Sequence, residues 1–239
     1  MRTSLCLLDL PFSDVCLEKA CEVAKNRNKK SAEVWVMADA ALVLSCRRDA
    51  ALYRACLAAR WILPVGKEVR VGAAMLGGAM ETKAFSGLEM VSALMEKMGG
   101  RYFFLGGSRG MARRAAVSAS LAVGCVPCPA VGGAPGQFCQ NGRENTAVLT
   151  RIWECLPDVV VVCLSNAPLW VMENLHRLPP ALYLCLPQGA MEEMANGGRS
   201  VKEVPFWAQQ RFYFLVRRQM RLLRRGVSMG RAHPLPNFK

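Results

Sequence analysis

Residues 101–110, RYFFLGGSRG, decide the fold of this chain. After the arginine, an apolar and aromatic run predicts a buried strand, and the last five residues form a glycine-rich turn. An alanine-rich segment, residues 111–121, follows at once and predicts a helix. A strand, a glycine turn and a helix in direct succession are the repeating unit of an open α/β sheet.

The same alternation extends along the chain in both directions. Further strands are predicted at residues 33–37 (EVWVM), 61–64 (WILP), 158–164 (DVVVVCL) and 181–186 (ALYLCL), and further helices over 40–59, over 87–98 and from 169. The run at 158–164 is apolar throughout rather than alternating, which is typical of a strand covered on both faces. We therefore predict an α/β fold with a Rossmann-like, doubly wound and mostly parallel sheet.

The two ends of the chain and one interior segment complete this prediction. Residues 5–10 predict one strand that leads into a helix ending near residue 24, and the Gly- and Met-rich residues 71–80 break the pattern. No fixed-period repeat or low-complexity linker divides the first 204 residues. We predict one domain over residues 1–204 and a basic appendage over residues 205–239.

The composition is that of a globular protein with excess positive charge. Hydrophobic residues make up 52% of the chain, and 31 Lys and Arg against 18 Asp and Glu give a net charge of +13. This charge favours an anionic partner, such as nucleic acid, phospholipid headgroups or a phosphorylated substrate. The odd number of cysteines, 11, and the absence of a secretory signal indicate a reducing cytoplasm. No uninterrupted apolar run reaches the length of a membrane span.

The cysteines and histidines do not predict a metal site. Cys125 and Cys128 have the CxxC spacing, but a tetrahedral zinc site would need two more thiolates or imidazoles nearby. His176 and His233 lie far along the chain, and no Ser/His/Asp triad can be assembled from them. We interpret the pair as ordinary thiols and predict neither a metal nor a cofactor.

The glycine turn is the first candidate ligand site. At Gly106, Gly107, Ser108 and Gly110, backbone N–H groups can approach a phosphate where a helix begins. The turn matches neither the GxGxxG pattern nor a P-loop, so those nucleotide-binding classes are disfavoured. A tight turn that binds no ligand is the alternative interpretation.

The end of the 158–164 strand is the second candidate. Ser165 and Asn166 follow it directly, at the position where open α/β sheets bind ligands. Either residue could instead cap the helix that follows.

Residues 211–225 (RFYFLVRRQMRLLRR) contain six arginines and no acid. They predict an amphipathic helix whose apolar side, including Phe212 and Phe214, lies at a bilayer surface. Anionic headgroups would then meet the arginines of the last turns, Arg217, Arg218, Arg221, Arg224 and Arg225. A helix that packs on the core with a solvated basic side remains open, and nucleic-acid binding is the least favoured alternative.

Taken in order, these segments resemble the TagA/WecG/CpsF family of glycosyltransferases. The family's "VFLLGGxPG" is the most specific match, at residues 103–110 (FFLGGSRG). Weaker matches are its "GVPF" opening at 7–12 (LLDLPF), "ADLVLPDG" at 58–66 (AARWILPVG), "PDLLLV" at 156–160 (LPDVV), and "RAPxW" with a basic appendage from 204–207 (VPFW) onward.

The resemblance implies a function and a location. Members of the family transfer N-acetylmannosamine-type sugars from a UDP donor to a polyprenyl-linked acceptor in cell-envelope polysaccharide synthesis. The glycine turn would lie near the diphosphate. The appendage would bring the enzyme to the inner face of the membrane and help to close the active site.

Several polar positions depart from the family pattern. The aspartate of "LPDG", the expected base, corresponds to Val65, which cannot accept a proton. The expected donor-site glutamine is missing from residues 164–170. Asp39 is the acid near the matching site that could substitute as the catalytic residue. Three hypotheses follow. The first is an active transferase with Asp39 as its base, and the second is an inactive relative that serves as a binding or scaffolding partner, for example of an active homologue or as a homo-oligomer. The third is a nucleic-acid or unrelated nucleotide-binding module.

Overall fold

The computed structural model describes residues 4–77, 85–124, 130–140, 142–198 and 205–224. Its strands are β1 (Ser4–Leu7), β2 (Leu10–Ser13), β3 (Glu33–Ala38), β4 (Trp61–Pro64), β5 (Tyr102–Gly106), β6 (Ala130–Ala134), β7 (Val159–Cys163) and β8 (Leu182–Cys185). Its helices are α1 (Leu17–Lys25), α2 (Ala40–Cys46), α3 (Ala50–Ala58), α4 (Lys67–Met75), α5 (Gly87–Met98), α6 (Met111–Ala122), α7 (Arg143–Cys155), α8 (Ala167–Asn174), α9 (Ala190–Ala195) and α10 (Phe206–Arg224), with a short 3-10 helix at Leu175–Arg177.

Six strands form one parallel sheet in the order β4-β3-β8-β7-β5-β6. Alternate side chains of each central strand pack into two separate cores, one on each face of the sheet. In β3, Val34 and Val36 face the core under α2, α3 and α8, whereas Trp35 and Met37 face the core under α1, α5, α6 and α9. Because both faces are covered, the strands are apolar throughout. The predicted doubly wound, parallel α/β fold is confirmed.

The opening of the chain is a hairpin rather than a single strand. Leu8 and Asp9 adopt φ values of 50° and 73° and reverse the chain between β1 and β2. This conformation is costly for leucine. The tertiary structure compensates, because Leu8 is buried and its N–H donates to Gln219 Oε1 of α10 at 3.1 Å.

Two helix predictions need correction, and two elements were not predicted. The helix predicted over 40–59 is two helices, because Asp49 caps a new start by accepting hydrogen bonds from the Ala51 and Leu52 N–H groups. The segment expected to break the pattern begins inside α4, where alanines sustain the helix. The short helix α9 was not predicted, and neither was the edge strand β6.

The C-terminal helix α10 packs on the body of the protein. Its buried residues Ala208, Phe212 and Val216 belong to the same core as α2 and α4. A Cβ at Gly72 of α4 would lie 2.9 Å from the Phe212 ring, so glycine is needed for this close packing. The expectation that Phe212 lies on a bilayer-facing side is therefore wrong. The boundary predicted after residue 204 falls beside residues outside the described part of the chain.

Candidate functional site

A cavity of about 560 Å³ opens at the carboxyl ends of β3, β4, β7 and β8. Its wall is formed by the loops that follow these strands, together with Gly87 of α5 and Pro205 before α10. Helix α2 leaves β3 toward one face of the sheet, and α9 leaves β8 toward the other. The diverging loops leave a crevice, which is where open α/β sheets bind ligands. Its volume suits a small molecule.

Asp39 lies in the cavity wall, between β3 and α2. It is the N-cap residue of α2, and its Oδ1 accepts a hydrogen bond from the Leu42 N–H at 2.8 Å. Burial raises the pKa of the Asp39 carboxyl, the bonds from helix N–H groups oppose that shift, and the nearby Glu68 carboxylate adds to it. The acid selected from the sequence is therefore in the cavity, where it also holds the start of α2.

Val65 and Glu68 line the cavity on its β4 side. Glu68 is the second residue of α4, and it is 5% exposed. Within the part of the chain that the structure describes, no hydrogen bond or ion pair reaches its carboxylate. The sequence prediction missed Glu68 because no helix was assigned after Gly66. An acid two residues after a glycine was the available signal, since carboxylates are favoured in the first turn of a helix.

The opposite wall carries Glu193 of α9. Burial raises the pKa of the Glu193 carboxyl, and the Glu89 carboxylate adds to the shift. The other polar side chains of the described lining are Ser45, Lys67, Ser165 and Gln188. Lys67 is the one cation among these described residues, against three carboxylates. Such a lining suits a ligand rich in hydroxyl groups, which donate hydrogen bonds to carboxylates.

The glycine turn after β5 lies one strand beyond the cavity, beside β7. At Gly106, which has φ of 146°, an added Cβ would lie 2.6 Å from a backbone oxygen of β7. Gly136 of the loop after β6 packs over the turn, and its N–H donates to the Gly107 carbonyl at 2.8 Å. Ser108 and Gly110 are exposed where α6 begins. The turn is closed at its first two glycines and open at its last three residues.

Ser165 and Asn166 have different surroundings. Ser165 is exposed and lines the cavity. The Asn166 carboxamide pairs with that of Gln140: Asn166 Nδ2 donates to Gln140 Oε1 at 2.9 Å, and Gln140 Nε2 donates back at 3.0 Å. Asn166 is the N-cap residue of α8 without a side-chain capping bond. The structure therefore brings Ser165 and Asp39 together at the cavity, while Asn166 holds the loop after β6.

The outward face of α10 combines aromatic rings with positive charge. Trp207 is 61% exposed and Phe214 is 59% exposed. The exposed arginines of the helix are Arg211, Arg217, Arg218, Arg221 and Arg224. Arg225 lies outside the described residues. None of the described helices combines the length and hydropathy of a membrane span.

The described residues contain no group of three or more His, Cys, Asp and Glu side chains that could hold a metal ion. The CxxC pair, Cys125 and Cys128, lies outside the described part of the chain. The described cysteines are free thiols, and Cys46 and Cys56 form a buried contact with sulfur atoms 3.6 Å apart.

A family model for the glycosyl transferase WecG/TagA/CpsF family matches residues 5–224. The chain belongs to this family. The family identification made from the motifs is therefore confirmed, and WecG/TagA/CpsF membership assigns the chain to a class of glycosyltransferases. The matched range runs from β1 to the end of α10 and includes every residue that lines the cavity. A search of curated proteins found no match to the chain.

Proposed function

We propose that the chain is an active glycosyltransferase, moving an N-acetylmannosamine-type sugar from a UDP donor to a polyprenyl-linked acceptor in cell-envelope polysaccharide synthesis. Family membership supports the class of reaction. The observation that carries the finer proposal is the cavity at the carboxyl ends of the strands, which presents three carboxylates at the ligand position of an open α/β sheet.

In this proposal the UDP-sugar spans the cavity and the glycine turn. The sugar hydroxyls donate to the cavity carboxylates. The diphosphate extends past β7 toward Ser108 and the start of α6, because adjacent strands are only about 4.8 Å apart. Backbone N–H groups at a helix start attract phosphate, and Arg109 and Arg113 are exposed there. Neither a metal nor a cofactor is part of the proposal.

The transfer step requires a base. The acceptor hydroxyl attacks the anomeric carbon, UDP leaves, and the hydroxyl proton must pass to a nearby group. Val65 cannot take this proton. Asp39 is the acid that the sequence nominates for the task, and burial raises the pKa of its carboxyl.

Titration calorimetry with UDP and UDP-N-acetylmannosamine, followed by a transfer assay with a lipid-linked acceptor, tests the function. We expect the sugar nucleotide to bind and its sugar to appear on the lipid. Binding without transfer would instead support the inactive, scaffolding alternative, which the presence of Val65 favours. Failure to bind either nucleotide, together with salt-sensitive binding of DNA or RNA, would contradict both.

We further propose that α10 docks the protein on the inner face of the membrane. Its exposed arginines would meet anionic headgroups, while Trp207 and Phe214 enter the interface. Replacing Arg217, Arg218, Arg221, Arg224 and Arg225 with Gln should abolish sedimentation with anionic vesicles. The same five positions changed to Lys should retain it, because the charge is kept. Unchanged sedimentation of the Gln variant would contradict the membrane role.

A further inference from the structure

Glu68 is the one acidic residue among the buried residues of the described chain. The other buried polar residues of that part, Arg27, Ser120, Asn145, Asn174 and Gln219, each form at least one hydrogen bond, although Nε and Nη1 of Arg27 have no partner there. Buried polar groups are almost always hydrogen-bonded in native proteins. Glu68 forms no such bond in the described structure, and its oxygens are not among the fully buried, unpartnered side-chain atoms, so they open to the cavity that the residue lines. A packed acid whose unbonded oxygens open to a cavity is available to a ligand or to a reaction there.

The position of Glu68 in the first turn of α4 places its carboxylate near the positive end of the helix macrodipole, which stabilises it modestly. The same effect acts on Glu18, which is exposed in the first turn of α1, so it does not require an acid to face a cavity.

We propose that Glu68 is the general base of the transfer reaction, in the place that Val65 cannot fill. The inference rests on the proposed function. The acceptor hydroxyl gives its proton to a Glu68 Oε atom as the hydroxyl oxygen forms its bond to the anomeric carbon. The bond from that carbon to the diphosphate oxygen breaks, and its electron pair leaves with UDP.

Asp39 is less suited to this role than Glu68. One of its carboxylate oxygens is already bonded to the Leu42 N–H, and movement of the side chain would uncap α2. Its part is to hold the cavity wall. The Glu68 carboxylate raises the pKa of two neighbouring groups, Asp39 at the start of α2 and Tyr213 of α10. For both groups, burial is the larger cause of the raised pKa.

The variant Glu68→Gln tests the proposal, with Glu18→Gln as its matched control. Glu18 is also the second residue of its helix, α1, but it is exposed and lies outside the cavity lining. For Glu68→Gln we expect a loss of kcat of about 100-fold or more, donor affinity within about threefold of wild type, and loss of the acid limb of the pH–rate profile. Its melting temperature should equal or exceed that of wild type. Glu18→Gln should leave all four measurements unchanged.

Formate provides a second readout. In Glu68→Ala the removed side chain leaves room for a small carboxylate, and added formate should restore at least part of the lost rate. Formate should not accelerate wild type.

Three results would overturn the proposal. The first is transfer by Glu68→Gln within about threefold of wild type. The second is a lower melting temperature of Glu68→Gln with equal losses of binding and rate, which would make the residue structural. The third is survival of the acid limb in Glu68→Gln and its loss in Asp39→Asn, which would make Asp39 the base. Failure of the proposed function is distinguishable, because wild type itself would then transfer no sugar.

Discussion

The two ends of the candidate donor site are built in opposite ways. At the cavity, side chains form the wall: Glu68 has no hydrogen bond in the described structure, and Val65 lines the same side. At the glycine turn, backbone packs on backbone. Gly106 lies against β7, and Gly136 covers Gly107 with an N–H donation at 2.8 Å.

This difference indicates which part of the candidate site tolerates substitutions. At Gly106 the packed turn accepts almost no substitution, because a side chain there would meet a β7 backbone oxygen that cannot move aside. A cavity wall made of side chains can exchange one acid for another without disturbing the sheet.

The largest expected effect is at the packed part of the glycine turn. Gly106→Ala places a Cβ 2.6 Å from a β7 backbone oxygen, at a φ of 146° that side chains rarely adopt. It should lower the free energy of unfolding by at least about 3 kcal/mol, or prevent folding. Gly110→Ala, in the same turn with φ of 80° and no atom within 4 Å of the new Cβ, should cost about 1–2 kcal/mol. Urea denaturation measures both, and equal losses would contradict the packed turn.

A smaller effect is expected where the loop after β6 covers the turn. In Gly136→Ala the new Cβ would lie 3.1 Å from Gly106 Cα and 3.2 Å from the Gly107 nitrogen. The loop must shift slightly, so we expect a loss of about 1–2 kcal/mol in urea denaturation. Stability equal to wild type would mean that the loop does not press on the turn.

At the cavity, removal of the Asp39 charge should not destabilise the protein. The raised pKa of Asp39 means that the native state binds more protons than the unfolded state between the two pKa values. The contribution of Asp39 to stability therefore falls as pH rises from about 4, the value for an unperturbed aspartate. Asn is an equally good N-cap, so Asp39→Asn should match wild type below that pH. Near neutral pH the Asn variant should be at least as stable as wild type. A less stable Asn variant at neutral pH, measured by urea denaturation, would contradict the sign.

The sequence predicted the elements whose signals are local. The strands at β5 and β7 follow from unbroken apolar runs, and the turn at Gly106 follows from adjacent glycines. The hairpin at Leu8 was missed because its left-handed conformation depends on burial and on Gln219, over two hundred residues away. The packing of α10 on the core was only the alternative interpretation for a similar reason, since no local pattern shows that Gly72 receives Phe212.

The candidate site was predicted in part. Ser165 was identified because it directly follows a strand, and parallel strands bring their carboxyl ends to one edge. Asp39 was identified through the family resemblance, as the acid near the matching site, and it lines the same cavity. Glu68 was overlooked because its significance arises from burial without partners, which only the folded chain reveals.

The location of the donor is the central claim, and one calorimetric comparison tests it most directly. Ser165→Trp fills the cavity from an exposed position and should leave the fold intact, while Thr150→Trp adds the same side chain on an exposed position of α7 outside the cavity lining. We predict that UDP-N-acetylmannosamine binds wild type and Thr150→Trp alike and binds Ser165→Trp at least about tenfold more weakly, a difference of about 1.4 kcal/mol. Equal affinity for all three proteins would contradict the placement of the donor in this cavity.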